Sequence, residues 1–430
     1  MKPAWVDWIA DGEKKGTVSG NWYMREVFII STGKIVNGKT AGARRILNIA
    51  RSIAEGEATV YLCSLSTVTG KQLYKREIHP GVISVECNDS GAGRARLKHF
   101  LRGVNSLMTK DRSSAVVYLY PSTFILKDFI YLLYFKFIKG YRFYCEINEM
   151  RTAIAFSSAP PEGWLPGLIY LLKSVKDYVV YKLSEFQVIL YDGIVVISQN
   201  LENYFRKYTR QITRVPILCD VSGIIHENVP GNYDGKVFRI CFAGYIKMEK
   251  EGFDILLKAI YNLGNESMVE LYLYGILEDQ DNRRLMELSA GYGLTGKIHY
   301  MGNIEPERLM GEFLKYHLLI LPRPLNRRTK YGFSTKLSEY LVSGVPVLLT
   351  DVSDNALYIK DNYNGYLINP GSSQVMAEKL NAIIREYNNQ ARSIVANAYK
   401  TAREELDYRL YSERYIDFLF RRSKSTRRVD

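Results

Sequence analysis

The chain is 430 residues long, more than one ordinary hydrophobic core accommodates, and suits two domains of about 200 residues each. With 47% apolar residues, 24% charged residues and no low-complexity tract, a disordered or fibrous protein is excluded. The net charge of +13 is lopsided, +12 in residues 1–215 and +1 in residues 216–430, so the first half is the one expected to meet an anionic partner.

Residues 1–24 read as an extension. They hold Trp5, Trp8 and Trp22 among charges, without a continuous apolar run of signal-peptide length. Five cysteines (Cys63, Cys87, Cys145, Cys219, Cys241) show no CxxC spacing, which argues for a reducing compartment and against a zinc site or disulfide frame. The most apolar stretch, Phe124–Ile138, is broken by Lys127, Asp128 and Lys136 and is not expected to cross a bilayer. A cytoplasmic protein is expected.

The first predicted element is a strand at Glu26–Ser31, followed by the glycine-bearing loop Gly33–Gly42 and a helix at Ala43–Ala54 closed by Gly56. Strands are expected at Thr59–Leu65, Ala115–Tyr120, Phe143–Ile147 and Gly193–Ser198, and Leu201–Pro216 reads as a hinge between domains 25–215 and 216–404. In the second half, short apolar runs at Val237–Ala243, Val269–Tyr274, Lys297–Met301, Leu318–Leu321 and Val345–Thr350 alternate with amphipathic segments at Phe253–Leu263, Asn282–Ala290, Glu305–Leu314 and Lys336–Val342. That alternation predicts βαβ units and a parallel sheet covered on both faces. Such a sheet takes its ligand at the carboxyl ends of its strands. Beyond Asn389 the chain reads as helical, with 405–420 expected to pack back on the first domain and 421–430 as a disordered basic tail.

Two segments carry chemistry. Ala243–Phe253 follows a strand and opens a helix, so Gly244 would let an anion approach the backbone and Lys250 would set a positive charge beside it. Its plain alternative is a βα turn with a solvated lysine. In Tyr331–Leu341, Gly332 precedes a helix whose first turn holds Ser334, Thr335 and Lys336, and Glu339 lies one turn further. There the plain alternative is capping by Ser334 or Thr335 and an i,i+3 pair between Lys336 and Glu339.

Together with LYLYG (Leu271–Gly275), MGNIEPERL (Met301–Leu309), LILPRP (Leu319–Pro324), GFSTKLSEYLVSGVPVLLTDVSD (Gly332–Asp354) and YIKDNYNGYLINPGS (Tyr358–Ser372), these segments resemble the retaining glycosyltransferase family 4, the glycosyl transferases group 1. The likeness runs over about residues 190–390, in order and spacing, which makes it far more specific than either loop. It is thinner at GKTAGARRILNIARSIA (Gly38–Ala54) and YDGIVVISQNLENYF (Tyr191–Phe205). The resemblance implies an α/β, GT-B-like fold of two Rossmann-like domains facing across a cleft. It implies sugar transfer from a nucleoside-diphosphate sugar, with retention and no obligatory metal or other cofactor.

Carried over by position, Lys250 would bind the donor diphosphate and Glu339 the ribose, with Gly244, Lys247, Gly275, Arg323, Phe333, Ser334, Thr335 and Lys336 lining the donor and Gly42 and Glu149 on the acceptor side. Two departures stand out. The family commonly has an E-x7-E pair, but Tyr331 occupies the first position; a subset with GxS/PTKxxEY shares that feature. Tyr245 replaces the usual Arg of the first loop. Those replacements raise a second reading, a non-catalytic GT-B-like binding subunit.

Other candidates carry less. Asp279-Gln280-Asp281 mimics a metal-binding DxD but falls at a helix start, where Asp caps amides. His79, His99, His226, His299 and His317 lack metal or triad spacing, and where the family often has a histidine this chain reads Tyr118-Leu119-Tyr120-Pro121-Ser122. Glu146 and Glu149 are both expected to point toward the cleft. Trp164–Lys173 with Lys176 and Lys182 suits either an in-plane membrane contact or a helix packed on the first sheet. The expected partners are a nucleotide-sugar, a glycan or polyprenyl-linked acceptor, and an anionic membrane touched peripherally from its cytoplasmic face. Nucleic acid is not expected, because the basic residues are spread out and match no nucleic-acid motif.

Overall fold

A computed structural model describes residues 25–31, 40–65, 73–87, 94–121, 125–156, 163–222, 231–264 and 268–420. The extension 1–24, the loop glycines Gly33 and Gly38, Ser122, His226 and the tail 421–430 lie outside the described residues.

Two sheets form the molecule. The first comprises β1 (Glu26–Ser31), β2 (Thr59–Leu65), β3 (Leu73–His79), β4 (Val82–Cys87), β5 (Ala115–Tyr120), β6 (Arg142–Ile147), β7 (Gly193–Val196) and β8 (Ile212–Arg214), ordered β3-β4-β2-β1-β5-β6-β7-β8. All its pairings are parallel except β3 with β4. The second is wholly parallel: β9 (Val237–Ala243), β10 (Met268–Tyr274), β11 (Ile298–Gly302), β12 (Leu318–Leu321), β13 (Val347–Thr350) and β14 (Tyr366–Ile368), ordered β11-β10-β9-β12-β13-β14.

Continuous apolar runs make these strands because a parallel sheet buries both faces. Val27, Phe28, Ile29 and Ile30 of β1 and all of β12 are buried accordingly. Between them run helices whose apolar stripes cover the sheets. In α1 (Ala41–Glu55), Ile46, Ile49, Ala50 and Ile53 recur at i, i+3, i+4 and i+7 and are buried. Thr40 caps its start, its hydroxyl accepting from the amide of Ala43.

Each sheet reverses its order of strand addition once, between β1 and β5 in the first and between β9 and β12 in the second. The loops leaving those strands mark the crevices where such sheets take ligands. Here they are the loop entering α1 and the segments after Ala243 and Leu321.

Several expectations need correction. Leu201–Pro216 is not a free hinge: a helix at Gln199–Phe205 and β8, paired with β7, tie most of it into the first sheet. The β3–β4 hairpin and β14 are additional, and the long helix α6 (Ser373–Thr401) begins before Asn389. The numbering of the intervening helices used below is α2 (Trp164–Phe186), α3 (Met248–Glu251), α4 (Asp279–Gly291) and α5 (Thr335–Leu341). A last helix, α7 (Ser412–Phe420), packs on α1, with Ile416 against Gly56 and the Tyr144 hydroxyl donating to the Leu419 carbonyl at 3.0 Å. Cys63, Cys145, Cys219 and Cys241 are free and buried.

Candidate active site

The site is built where β9 and β12 part. At the end of β9, Gly244 has φ +145°, and at the end of β10, Gly275 has φ +121°; a Cβ on Gly275 would lie 1.9 Å from the Gly244 carbonyl oxygen. The two turns therefore stack without room for a side chain, which only glycine permits. The following turn, α3, is pinned from α4: the Asp281 carboxylate accepts from the Met248 amide at 2.9 Å and from Lys247 Nζ at 2.9 Å. Asp281 thus caps, but it caps the start of α3 rather than its own helix. Lys247 also pairs with Glu278, so its charge is engaged at the base of the loop and not in the cluster described next.

That cluster centres on Glu251. Its carboxylate is 1% exposed and accepts from Arg323 Nε at 2.9 Å, Arg323 Nη2 at 3.0 Å and Lys336 Nζ at 3.4 Å. Burial would raise its pKa, but Arg323 and Lys336 beside it hold it down to about 2. The Lys336 stem crosses Gly244, where an added Cβ would come within 2.2 Å of its Cε, and its ammonium stands 4.8 Å from the centre of the Phe242 ring. Burial lowers its pKa.

Lys250 sits beside them with no hydrogen-bond or ion-pair partner among the described residues. Burial first, then Arg323, Arg328 and Lys336, push its pKa down to about 8. Three cations, Arg323, Lys336 and Lys250, thus bear on one ionised carboxylate, an excess of positive charge that favours a multivalent anion. The chemistry open to such a cluster is neutralisation of charge developing on a departing phosphate.

On the neighbouring element, Phe333 packs edge-on to Tyr358 and Ser334 precedes α5. The Ser334 hydroxyl makes no capping bond; it is buried without a partner. Lys336 and Glu339 do not pair with each other. Lys336 turns to Glu251, while Glu339 reaches across the cleft to Arg44 of α1 at 2.8 Å. Burial raises the Glu339 pKa, opposed by Arg44 and Lys336. Glu339, Thr335 and Ser338 line a cleft of about 410 Å³ between the domains, with Arg44, Asn48 and Asp220 opposite. Tyr331 packs against Tyr204 of the first domain, and its carbonyl accepts from the Ser198 hydroxyl at 2.8 Å.

Across the cleft, Gly42 lies in the first turn of α1, where an added Cβ would rest 3.6 Å from the Tyr120 hydroxyl, an ordinary contact. Glu149 is exposed and faces Arg328 at 3.6 Å. Glu146 contradicts its expected place. It is fully buried, paired with Arg45, and accepts from the Tyr118 hydroxyl at 2.9 Å, while Arg45 Nη1 donates to the Pro216 carbonyl at 3.0 Å. β6 is a central strand buried on both faces, so an acid in its middle turns inward and must be paired.

His317 is structural: its Nδ1 accepts from the Arg239 amide at 2.9 Å, and burial pushes its pKa down to about 4. Among the described residues no three His, Cys, Asp or Glu side chains come together to hold a metal ion. Sequence reasoning missed Glu251, Arg44 and Arg45. Glu251 reads as one more acid in a charged turn, because its partners Arg323 and Lys336 are 72 and 85 residues away.

Residues 228–401 match the family model of glycosyl transferases group 1. Over 150 residues the chain is 25% identical to sucrose synthase of Denitrovibrio acetiphilus, covering 33% of this chain and 18% of that protein. Among solved structures, it resembles sucrose-phosphate synthase from Thermosynechococcus elongatus at TM-score 0.66 and 13% identity, over 91% of this chain and 97% of the other. A similar likeness, at TM-score 0.65, 13% identity and 93% and 99% coverage, holds for the E. coli trehalose-6-phosphate structure bound with UDP-2-fluoro glucose. The paired Rossmann-like sheets thus identify a GT-B-fold chain, whose residues 228–401 match the glycosyl transferases group 1 family model.

Proposed function

We propose that the protein is a retaining glycosyltransferase that moves a sugar from a nucleoside-diphosphate sugar to a glycan, polyprenyl-linked or other acceptor, in bacterial cell-surface polysaccharide assembly. One observation carries this reading: an excess of cations, including the unpaired Lys250, stands at the strand-order reversal of the second sheet beside Glu339. The diphosphate would lie against Lys250, Lys336 and Arg323, and the ribose hydroxyls would donate to Glu339 in place of Arg44. As the bond from the sugar C1 to the diphosphate oxygen breaks, those cations offset the charge gathering on that oxygen. An acceptor hydroxyl approaching the same face forms the new C1–O bond, and its proton passes to the departing phosphate. Glu149 and the first turn of α1 at Gly42 are the acceptor-side elements of this scheme.

Glu339→Ala is expected to weaken nucleoside-diphosphate binding by the roughly 1.5–3 kcal/mol of a charged hydrogen bond, about 10- to 100-fold. Loss of the half-exposed Arg44 pair should cost at most about 1 kcal/mol of stability. Thermal shift and calorimetry against UDP, GDP, ADP and CMP, with the corresponding nucleotide-sugars, test both. Unaltered affinity in Glu339→Ala would remove the ribose assignment. The packing of Tyr331 against Tyr204, where the family has an acid, keeps a binding subunit in view; nucleotide binding with neither transfer nor donor hydrolysis would favour it.

The setting we propose is the inner face of the cytoplasmic membrane, touched through α2. Among the described residues no helix is long and apolar enough to cross a membrane. Yet α2 does not pack its apolar residues on the sheet: of its 23 residues only Ser174 and Glu185 are buried, while Trp164 is 81% and Leu183 64% exposed. Leu168, Leu172, Val175 and Val179 continue that stripe, with exposed Lys173 and Lys176 at its flank. An apolar stripe edged by lysine suits in-plane contact with anionic lipid, where each surface Lys contributes about 1 kcal/mol. Sedimentation with phosphatidylglycerol vesicles at low salt is expected and should fall for Trp164→Ser/Leu168→Ser; equal absence from neutral and anionic vesicles at low salt would remove the idea.

A further inference from the structure

We infer that Glu251 is a positioning residue of the donor site, holding Arg323 and Lys336 of two other segments in the arrangement that faces the diphosphate. The inference rests on the donor reading above and adds a member that no sequence motif marks.

The geometry is that of a tie between three chain segments. Glu251 belongs to the turn after β9, Arg323 to the segment after β12, and Lys336 to the first turn of α5. No other described carboxylate bonds Arg323 or Lys336. The turn is brought close enough by Gly252, at φ +76°, where a Cβ would sit 2.1 Å from the Pro322 carbonyl oxygen. The Arg323 backbone is held separately, its carbonyl accepting from the Thr350 hydroxyl at 2.6 Å. A two-pronged contact from Nε and Nη2 orients the Arg323 guanidinium as a single hydrogen bond does not.

The charges explain why an acid is needed. Lys250, Arg328, Arg323 and Lys336 all bear on this pocket, with Glu339 near Lys336 as the other acid. Without an ionised group among them, buried ammonium groups escape mutual repulsion by losing protons or turning to solvent. Either outcome removes a charge the diphosphate needs. With Glu251 present, Arg323 and Lys336 are held charged and in place before the donor arrives, which is preorganisation.

The test is binding of UDP and of inorganic pyrophosphate by calorimetry, from about pH 6.5 to about pH 9.5, a range over which the Lys250 proton is lost. Wild type, Glu251→Gln and Glu251→Asp are compared, with unliganded melting curves. In wild type, affinity should fall as pH rises through about 8. In Glu251→Gln the fall should begin about one pH unit lower, giving roughly fivefold weaker binding at the wild-type midpoint, and Glu251→Asp should recover most of it. The melting gap between Glu251→Gln and wild type should also widen as pyrophosphate is added near about pH 8, since the weaker-binding variant gains less stability from the same anion. A pH profile of Glu251→Gln that overlays wild type, with a melting gap indifferent to pyrophosphate, would mean Glu251 only supports the fold and overturns the inference alone. Wild type that binds neither UDP nor pyrophosphate overturns the donor reading and this inference with it.

Discussion

Lys250→Met is expected to lower turnover about 100-fold or more while raising the melting temperature of the unliganded protein. The first part follows from removing a charge that faces the developing diphosphate. The second follows from the position of the ammonium, which is half-buried, unpaired and surrounded by Arg323, Arg328 and Lys336. Its native pKa, about 8, lies below the ordinary value of 10.5. Between those values the unfolded chain holds a proton the native chain lacks, so stability rises with pH across that window. Below pH 8 the full cost of keeping Lys250 charged is present, and Met, of similar reach and apolar, removes it. The gain in melting temperature should therefore be largest at neutral pH and fade toward pH 10.5. Melting curves at several pH values and initial rates on the best donor check both halves. A variant that melts lower and turns over normally would show Lys250 to be a structural lysine.

Glu146→Ala is expected to destabilise the fold by about 3–5 kcal/mol, the cost of leaving Arg45 charged and unpaired in the core. Arg45, Glu146 and Tyr118 form a buried unit that also reaches Pro216, at the junction between the two halves. Exchange of both charges for Met and Leu should cost far less, because no lone charge remains. Nucleotide affinity of the folded fraction should be unchanged, since Glu146 does not line the cleft beside Glu339. Urea unfolding followed by circular dichroism measures the loss. A Glu146→Ala protein as stable as wild type but defective in transfer would return Glu146 to the acceptor side of the cleft.

How much of this was legible in the sequence depended on what each residue answers to. The strands β9, β10 and β12 are apolar runs whose burial on two faces leaves little choice of residue, and they lie within a residue of their expected places. The β3 strand, LYKREIH, hides because it is an antiparallel edge strand with four consecutive exposed residues. β14 is only three residues long. In the site, Gly244, Gly275 and Lys250 were visible because strand-end glycines and a nearby lysine are local signals. Glu251 and Arg44 were not, because a carboxylate or guanidinium takes its role from what lies across from it. Lys247 and Lys250 show the same limit: three residues apart in one turn, one is engaged by Glu278 and Asp281 and the other faces the cluster unpaired. Glu146 could have been placed, since an acid in a central parallel strand has no solvent face to occupy.

The central claim is that the cations around Glu251 hold the diphosphate of a nucleotide. Calorimetric titration of wild type and Lys250→Met with the best-bound nucleoside diphosphate, its monophosphate and its free nucleoside tests this directly. Wild type is expected to bind the diphosphate at least about tenfold more tightly than the monophosphate, the added phosphate charge meeting the unpaired Lys250. Lys250→Met should lose most of that difference while keeping its affinity for the nucleoside. Equal affinity for all three ligands in wild type, or an undiminished preference for the diphosphate in Lys250→Met, would contradict the account.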